Sequence, residues 1–266
     1  MQTEHDASRV MHNTLNWTLT GIFAAVHAVL TYLPYSITLG ATGMISMGVI
    51  SGPLIGCLLG PFFGSVAVMI GSVVGVVIQP SDIIIRILTP LASTTGACCA
   101  GMIRTGQIKP VPIFYGLAMA LFVVVTGGPR ALPFLWFHGI ALTLISFAAL
   151  LQTRADVEVS RDDRITPILM LWVMAFTAVM LDQLVGSVTF AALAQLMGIF
   201  DTEAIATIFL AVLLIYPLER GIASVMVALL AGALIQAVRH AGVILPTEER
   251  AERVDTYPAH DVQYST

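Results

Sequence analysis

Of the 28 charged residues in this 266-residue chain, 18 fall within residues 1–14, 153–164 and 239–266, which leaves ten for the other 212 positions. A soluble domain carries about 25% charged residues, spread over its surface. Here the share is 11%, the hydrophobic share is 57%, and the charges sit in three patches. A chain written this way has no polar exterior to offer water. It must alternate membrane spans with a few wet segments.

A bilayer core of about 30 Å takes roughly 20 apolar residues per helix, with a range of about 17 to 25. Eight segments meet or approach that length: 15–33, 41–59, 62–78, 85–103, 111–127, 132–152, 166–186 and 218–238. Backbone polar groups in lipid must be satisfied within the segment, so each is expected to be a helix. Breakers stand between them, including Gly60-Pro61, Lys109-Pro110, Gly127-Gly128-Pro129 and Thr166-Pro167. The predicted fold class is therefore all-α, a polytopic helical membrane protein of about eight spans, within a range of six to ten. The first apolar run follows a mixed-charge stretch (Glu4, Asp6, Arg9) and shows no small-x-small cleavage pattern, so it is read as a retained span.

With a cytoplasmic N-terminus, nine cations fall on the cytoplasmic side: Arg9, Arg104, Lys109, Arg154, Arg161, Arg164, Arg239, Arg250 and Arg253. Three fall on the other, Arg86, Arg130 and Arg220. With that asymmetry both termini are expected in the cytoplasm, which requires an even number of crossings, and the expected location is the cell membrane. The expected organisation is a tail over residues 1–14, one transmembrane domain over 15–238 with a cytoplasmic connector at 153–164, and a polar tail over 239–266. Residues 187–217 hold two short apolar stretches separated by Asp201, Thr202 and Glu203, and are expected to form an outer flap partly embedded in the membrane. An inward hairpin there would give ten spans with the same orientation.

Gly48, Gly52, Gly56, Gly60 and Gly64 recur at every fourth position, and Gly71 and Gly75 repeat the spacing. Four residues advance a helix by about 400°, so such glycines stay on one side and let backbones approach closely. Pro53 and Pro61 interrupt the ladder. It is expected to cover one helix, a tight turn at Gly60-Pro61 and the start of the next, as a packing device.

The order Phe23-Ala24-Ala25-Val26-His27-Ala28, then Thr31 to Thr42, then Gly52-Pro53-Leu54-Ile55-Gly56 through Gly64, resembles the substrate-binding S-components of energy-coupling factor (ECF) vitamin transporters. Tyr216-Pro217-Leu218-Glu219-Arg220-Gly221 is similar to the outer start of that family's last span. The family has about six spans and no vitamin-specific signature is present, so the solute is not carried over. The resemblance implies a substrate-binding subunit that captures a vitamin or related small molecule at the outer face. It also implies partners: a transmembrane coupling subunit, against which the AxxxA pair Ala24 and Ala28 would pack, and ABC-type ATPases. No GxxxxGK[ST] phosphate loop occurs in this chain, so ATP hydrolysis would belong to those partners.

In the proposed orientation, eight of the ten isolated charges lie in the outer half: Asp82, Arg86, Arg130, Asp182, Asp201, Glu203, Glu219 and Arg220. Ionisable groups within spans face cavities or one another, which points to a polar outer pocket. Asp182 and Gln183 interrupt an apolar helix, and Arg130 follows the Gly-Gly-Pro turn just before Trp136 and His138. A guanidinium fork takes carboxylate or phosphate, and aromatic rings stack on flat heterocycles. Candidate substrate-binding residues are thus Arg130, Asp182, Gln183, Trp136, His138, Arg86, Glu219 and Arg220. Three other roles stay open: Asp82 as cap of the helix carrying Arg86 and its i,i+4 partner, Glu219 and Arg220 as interfacial anchors, and Trp136 as a belt aromatic. His27, mid-helix, is expected to bond a neighbouring helix rather than a metal.

The six histidines form no His-Glu-x-x-His pair, and no Ser-His or paired-carboxylate arrangement occurs in the spans, so no enzyme activity, metal or cofactor is expected. A net charge of −4 without a basic stripe speaks against nucleic acid. Cys57, Cys98 and Cys99 sit in apolar runs as packing residues. The competing reading is a stand-alone secondary transporter of a small organic solute.

Overall fold

A computed structural model describes residues 2–35, 45–78, 87–154, 165–242 and 247. Helices dominate it: α1 (Gln2–Leu30), α2 (Gly48–Ile78), α3 (Thr89–Arg104), α4 (Val111–Val125), a 3-10 helix (Pro129–Leu135) that runs into α5 (Trp136–Arg154), α6 (Ile165–Leu196), α7 (Thr202–Ala211) and α8 (Ile215–His240). The protein is a helical membrane protein by its apolar helices. Four helical runs are long and apolar enough to cross a bilayer: Gly48–Ile78, Pro129–Leu151, Ile168–Leu196 and Ile215–His240. The eight spans expected from sequence go beyond these four. Three further apolar helices, Thr14–Leu30, Val111–Val125 and Thr202–Ala211, are shorter.

The first of the four runs is folded back on itself. Gly60 leaves the helical region (φ 83°, ψ 180°), a conformation that glycine adopts at little cost. A Cβ placed on Gly64 would lie 2.7 Å from the Gly56 Cα, although eight residues separate the two along the chain. In a continuous helix they would be about 12 Å apart. The predicted turn at Gly60-Pro61 is therefore a hairpin apex joining arms 48–59 and 61–78, and Pro61 enters the second arm at its first position, where a missing N–H does no harm.

The first arm differs from the sequence expectation. Segment 41–59 was expected to be helical throughout. Instead Ile45–Ser46 forms a two-residue strand, β2, paired antiparallel with β1 (Pro34–Tyr35), and helix starts only at Gly48. Met47 N–H also donates to the Leu33 carbonyl at 2.8 Å. Twelve helical residues span about 18 Å, short of the hydrocarbon thickness. Residues 45 and 46, expected to be helical, pair instead with the chain leaving α1, and residues 41–44 lie outside the described residues.

Small residues set the contacts of α1, α2 and α3. Gly71 lies against the backbone of Ala24 and Ala28, Gly75 against Thr31, Gly56 against Ala97, and Gly101 against the Gly60-Pro61 bond. His27, fully buried, ties α1 to both arms of α2 by bonding Ser51 (2.7 Å) through Nδ1 and Ser72 (2.9 Å) through Nε2. The expected bond to a neighbouring helix is thus made twice, once to each arm of α2.

Helix α6 is the axis of the other half. Residues 173–182 are buried without a break, as befits a helix that is apolar all round and enclosed by neighbours. It packs on α2, α3, α4, α5 and α8. It also continues to Leu196, so the proposed flap boundary at 187 falls inside a helix. The chain breaks instead at 197–201, where the Asp201 carboxylate caps α7 by accepting from the Ala204 N–H at 2.8 Å. An aromatic cluster of Phe122, Phe134, Phe209 and Tyr216 fills the space between α4, α5, α7 and α8.

The two ends of the bundle are chemically distinct. Gly60, Thr105 and Thr247 meet at one end, where Thr247 Oγ1 donates to the Leu58 carbonyl at 3.4 Å. At the other, Thr202 covers Gly127 and Arg130 pairs with Glu203.

Candidate functional site

The charges that the sequence assigns to one pocket are divided by the structure into a buried group and an exposed one. Asp182 projects from the buried stretch of α6 toward α3 and α8. A Cβ on Gly96 would stand 3.0 Å from that of Asp182 and 3.1 Å from the Ala178 carbonyl oxygen, so glycine at 96 lets α3 lie close against α6 here. On the opposite flank, Arg220 of α8 reaches Asp182 with Nη1 to Oδ2 at 3.8 Å, both side chains less than a tenth exposed. Glu219 beside it is equally enclosed.

His138 of α5 belongs to the same region. Its ring is fully buried, stacks on Tyr216 at 5.7 Å between centroids, and places Nδ1 2.9 Å from the Tyr115 hydroxyl. Tyr216 in turn donates its hydroxyl to the Phe134 carbonyl. Tyr216 and Arg220 are four residues apart on α8 and so share a face, and Arg220 lies within electrostatic reach of the imidazole. His138 Nε2 is buried with no hydrogen-bond partner among the described residues. Nε2 is a donor in the tautomer in which the phenol donates to Nδ1 and an acceptor in the other. The group combines a carboxylate, a guanidinium, an imidazole and two phenols within helices that are otherwise apolar.

Arg130 and Trp136 lie elsewhere. Arg130 is largely exposed and binds Glu203 at 3.0 Å, and Trp136 is half exposed with its indole N–H directed at the Leu213 carbonyl, 3.4 Å away. The corner predicted to combine Arg130, Trp136 and His138 does not form. Helical geometry turns His138 inward, two residues beyond a Trp136 that faces out. Gln183 is half-buried and donates to Ser187 along its own helix at 3.3 Å. Arg86 lies outside the described residues, as does Asp82.

The alanine pair also takes another place. Ala24 and Ala28 are buried, with Gly71 of α2 packed directly on their backbone. Their face is filled from within the chain, so it is not open to a partner subunit, and the pair is a packing seam. The glycines Gly52, Gly56 and Gly64 behave as expected of packing residues, Gly48 is buried, and Gly60 makes the turn.

Sequence reasoning passed over Tyr115, Ser51 and Ser72. A lone tyrosine or serine in an apolar helix gives no signal by itself. The presence of buried histidines at 27 and 138 was the clue that polar partners had to exist across the bundle. Comparison of the chain with known protein families, with curated proteins and with solved structures finds no match.

Proposed function

We propose that this protein is a solute-binding membrane subunit of the ECF type, which takes up a vitamin or related small molecule from the outer face and relies on separate coupling and ATPase subunits for energy. The observation that carries this reading is the buried Asp182–Arg220 pair beside His138 Nε2. Two charges withdrawn from water cost several kcal/mol each before their attraction is counted, so a bundle held only for its own sake would do as well with apolar residues there. Ionisable groups inside a membrane protein mark a ligand or ion path by default. Arg220 offers donors, Asp182 an acceptor, and His138 Nε2 one or the other according to its tautomer, a set suited to a small polar solute.

The finer assignment rests on the sequence resemblance and on the missing phosphate loop. It keeps the cell-membrane location, cytoplasmic termini and the absence of catalysis as parts of the proposal. The coupling surface is no longer Ala24 and Ala28. A stand-alone secondary transporter of a small organic solute is the competing reading, and transport by the protein alone distinguishes the two.

Mass spectrometry of small molecules retained by the detergent-purified protein tests the reading directly. The expected result is one solute, lost on Asp182→Ala or Arg220→Ala with the fold intact. Vesicles carrying the protein alone should bind but not accumulate that solute. Gradient-driven accumulation without partners would establish the carrier, and a folded variant of either residue that still retained the solute would remove the pair from the site.

A further inference from the structure

On one flank of the bundle the second arm of α2, α3, α4 and one face of α6 enclose a groove of about 760 Å³. Its wall is aliphatic, aromatic and sulfur-bearing, with Val66, Met69, Met102, Phe114 and Val185 prominent. The hydroxyls of Ser65 and Thr95 are turned back to the carbonyls of Pro61 and Leu91. Thr94 is then the one lining hydroxyl without a partner among the described residues, too little to hold a polar solute. Phe62, Ile70 and Phe114 at the rim are about half exposed or more, so the groove opens sideways, toward the apolar surroundings of the helices.

Its dimensions select the occupant. Along α2 it runs from Pro61 to Ile70, nine steps or about 14 Å, close to half of a roughly 30 Å hydrocarbon core and hence to one leaflet. An apolar trough of one leaflet's depth, open along its side to the hydrocarbon and nearly free of usable polar groups, matches a single alkyl chain. The groove starts at the Gly60 end of the bundle. There the connector 105–110, which joins the two lining helices α3 and α4, carries the exposed cation Lys109.

We infer that the groove is a lipid site, holding an acyl chain of an anionic phospholipid from the leaflet at the Gly60 end, with the headgroup phosphate against Lys109. The apolar wall supplies the affinity for the chain. Lys109 supplies the preference for negative charge, which for one lysine near a lipid surface amounts to about fivefold.

Native mass spectrometry of the delipidated full chain tests this, using phosphatidylglycerol and phosphatidylcholine of identical chains at equal concentration. One lipid should bind, with phosphatidylglycerol favoured about fivefold. Lys109→Gln should level the two headgroups without abolishing binding, and Ala118→Trp, which projects an indole into the groove, should abolish both. Alkylation of half-buried Cys98 with N-ethylmaleimide blocks the same space in the wild-type fold and should do likewise if the tryptophan variant does not fold. Lipid retained at wild-type levels after either block, or a headgroup preference that survives Lys109→Gln, would overturn the assignment.

Discussion

Replacing Gly56 by alanine is the sharpest probe of how the hairpin is held. A Cβ at this position would stand 2.0 Å from the Ala97 carbonyl oxygen, where ordinary contact begins at 3.4 Å. The arm and α3 would have to part by about 1.4 Å, and the obstacle is backbone, which cannot rotate aside as a side chain could. Overpacking of this kind costs about 1 to 3 kcal/mol, and a backbone collision belongs at the top of that range. Alanine's better helix propensity returns up to about 1 kcal/mol, leaving a net loss of about 2 kcal/mol. For a chain of this size each kcal/mol moves the midpoint by roughly 2 to 4 °C, so thermal unfolding in detergent should fall by about 4 to 8 °C. Gly21→Ala is the matched control, since nothing lies within 4 Å of its Cβ position, and its Tm should hold or rise slightly. A Gly56→Ala protein melting within 2 °C of wild type, alongside an unchanged Gly21→Ala, would show that α2 and α3 are not packed backbone to backbone, because about 2 kcal/mol cannot hide in that interval.

Three other outcomes follow from the same contacts. His27→Ala leaves the buried Ser51 and Ser72 hydroxyls without the ring between them, and should cost about 2 to 4 kcal/mol in chemical denaturation; adding Ser51→Ala and Ser72→Ala should recover part of it. Asp182→Leu alone should destabilise by about 3 kcal/mol by stripping Arg220 of its carboxylate, while Asp182→Leu with Arg220→Met should be milder than the sum of the single changes, as a double-mutant cycle would measure. Arg130→Ala should alter stability by less than about 1 kcal/mol, because its bond to Glu203 is exposed on both sides; a larger loss, persisting in high salt, would mean that the pair is shielded from water.

What could be read from the sequence and what could not divide along a physical line. The membrane class followed from where charges are absent, a constraint that lipid imposes on every helix separately. The turn at Gly60-Pro61 was legible because glycine and proline act on their own backbone, and the packing role of the ladder because small residues matter through their size alone. Rotational position was harder. Ala24 and Ala28 lie four apart and therefore share a face, but whether that face meets Gly71 or a second protein depends on how α1 is turned about its axis. In a helix of uniformly apolar residues no polar stripe marks the turn. The same ambiguity assigned Arg130, Trp136 and His138 to one corner, when only His138 points inward. The short first arm was illegible for another reason: residues 45–46 are taken by pairing with 34–35, a contact between segments that neither segment announces.

The bundle joins two kinds of packing, and the candidate site lies where they meet. In α1, α2 and α3, glycines let backbones touch, so the helices have little freedom to shift. Around α4, α5, α7 and α8, aromatic rings fill wider spaces and polar groups reach across them. Asp182 stands at the boundary, with Gly96 of the first half against its Cβ and Arg220 of the second near its carboxylate. Glycine at 96 lets α3 lie close to α6 at the level of Asp182. At 3.8 Å the Asp182–Arg220 contact is longer than a charge-assisted hydrogen bond, which closes to about 2.7 to 2.9 Å. The two charges thus form an ion pair without a closed hydrogen bond between them, set between a layer packed through glycine and one packed through aromatic rings.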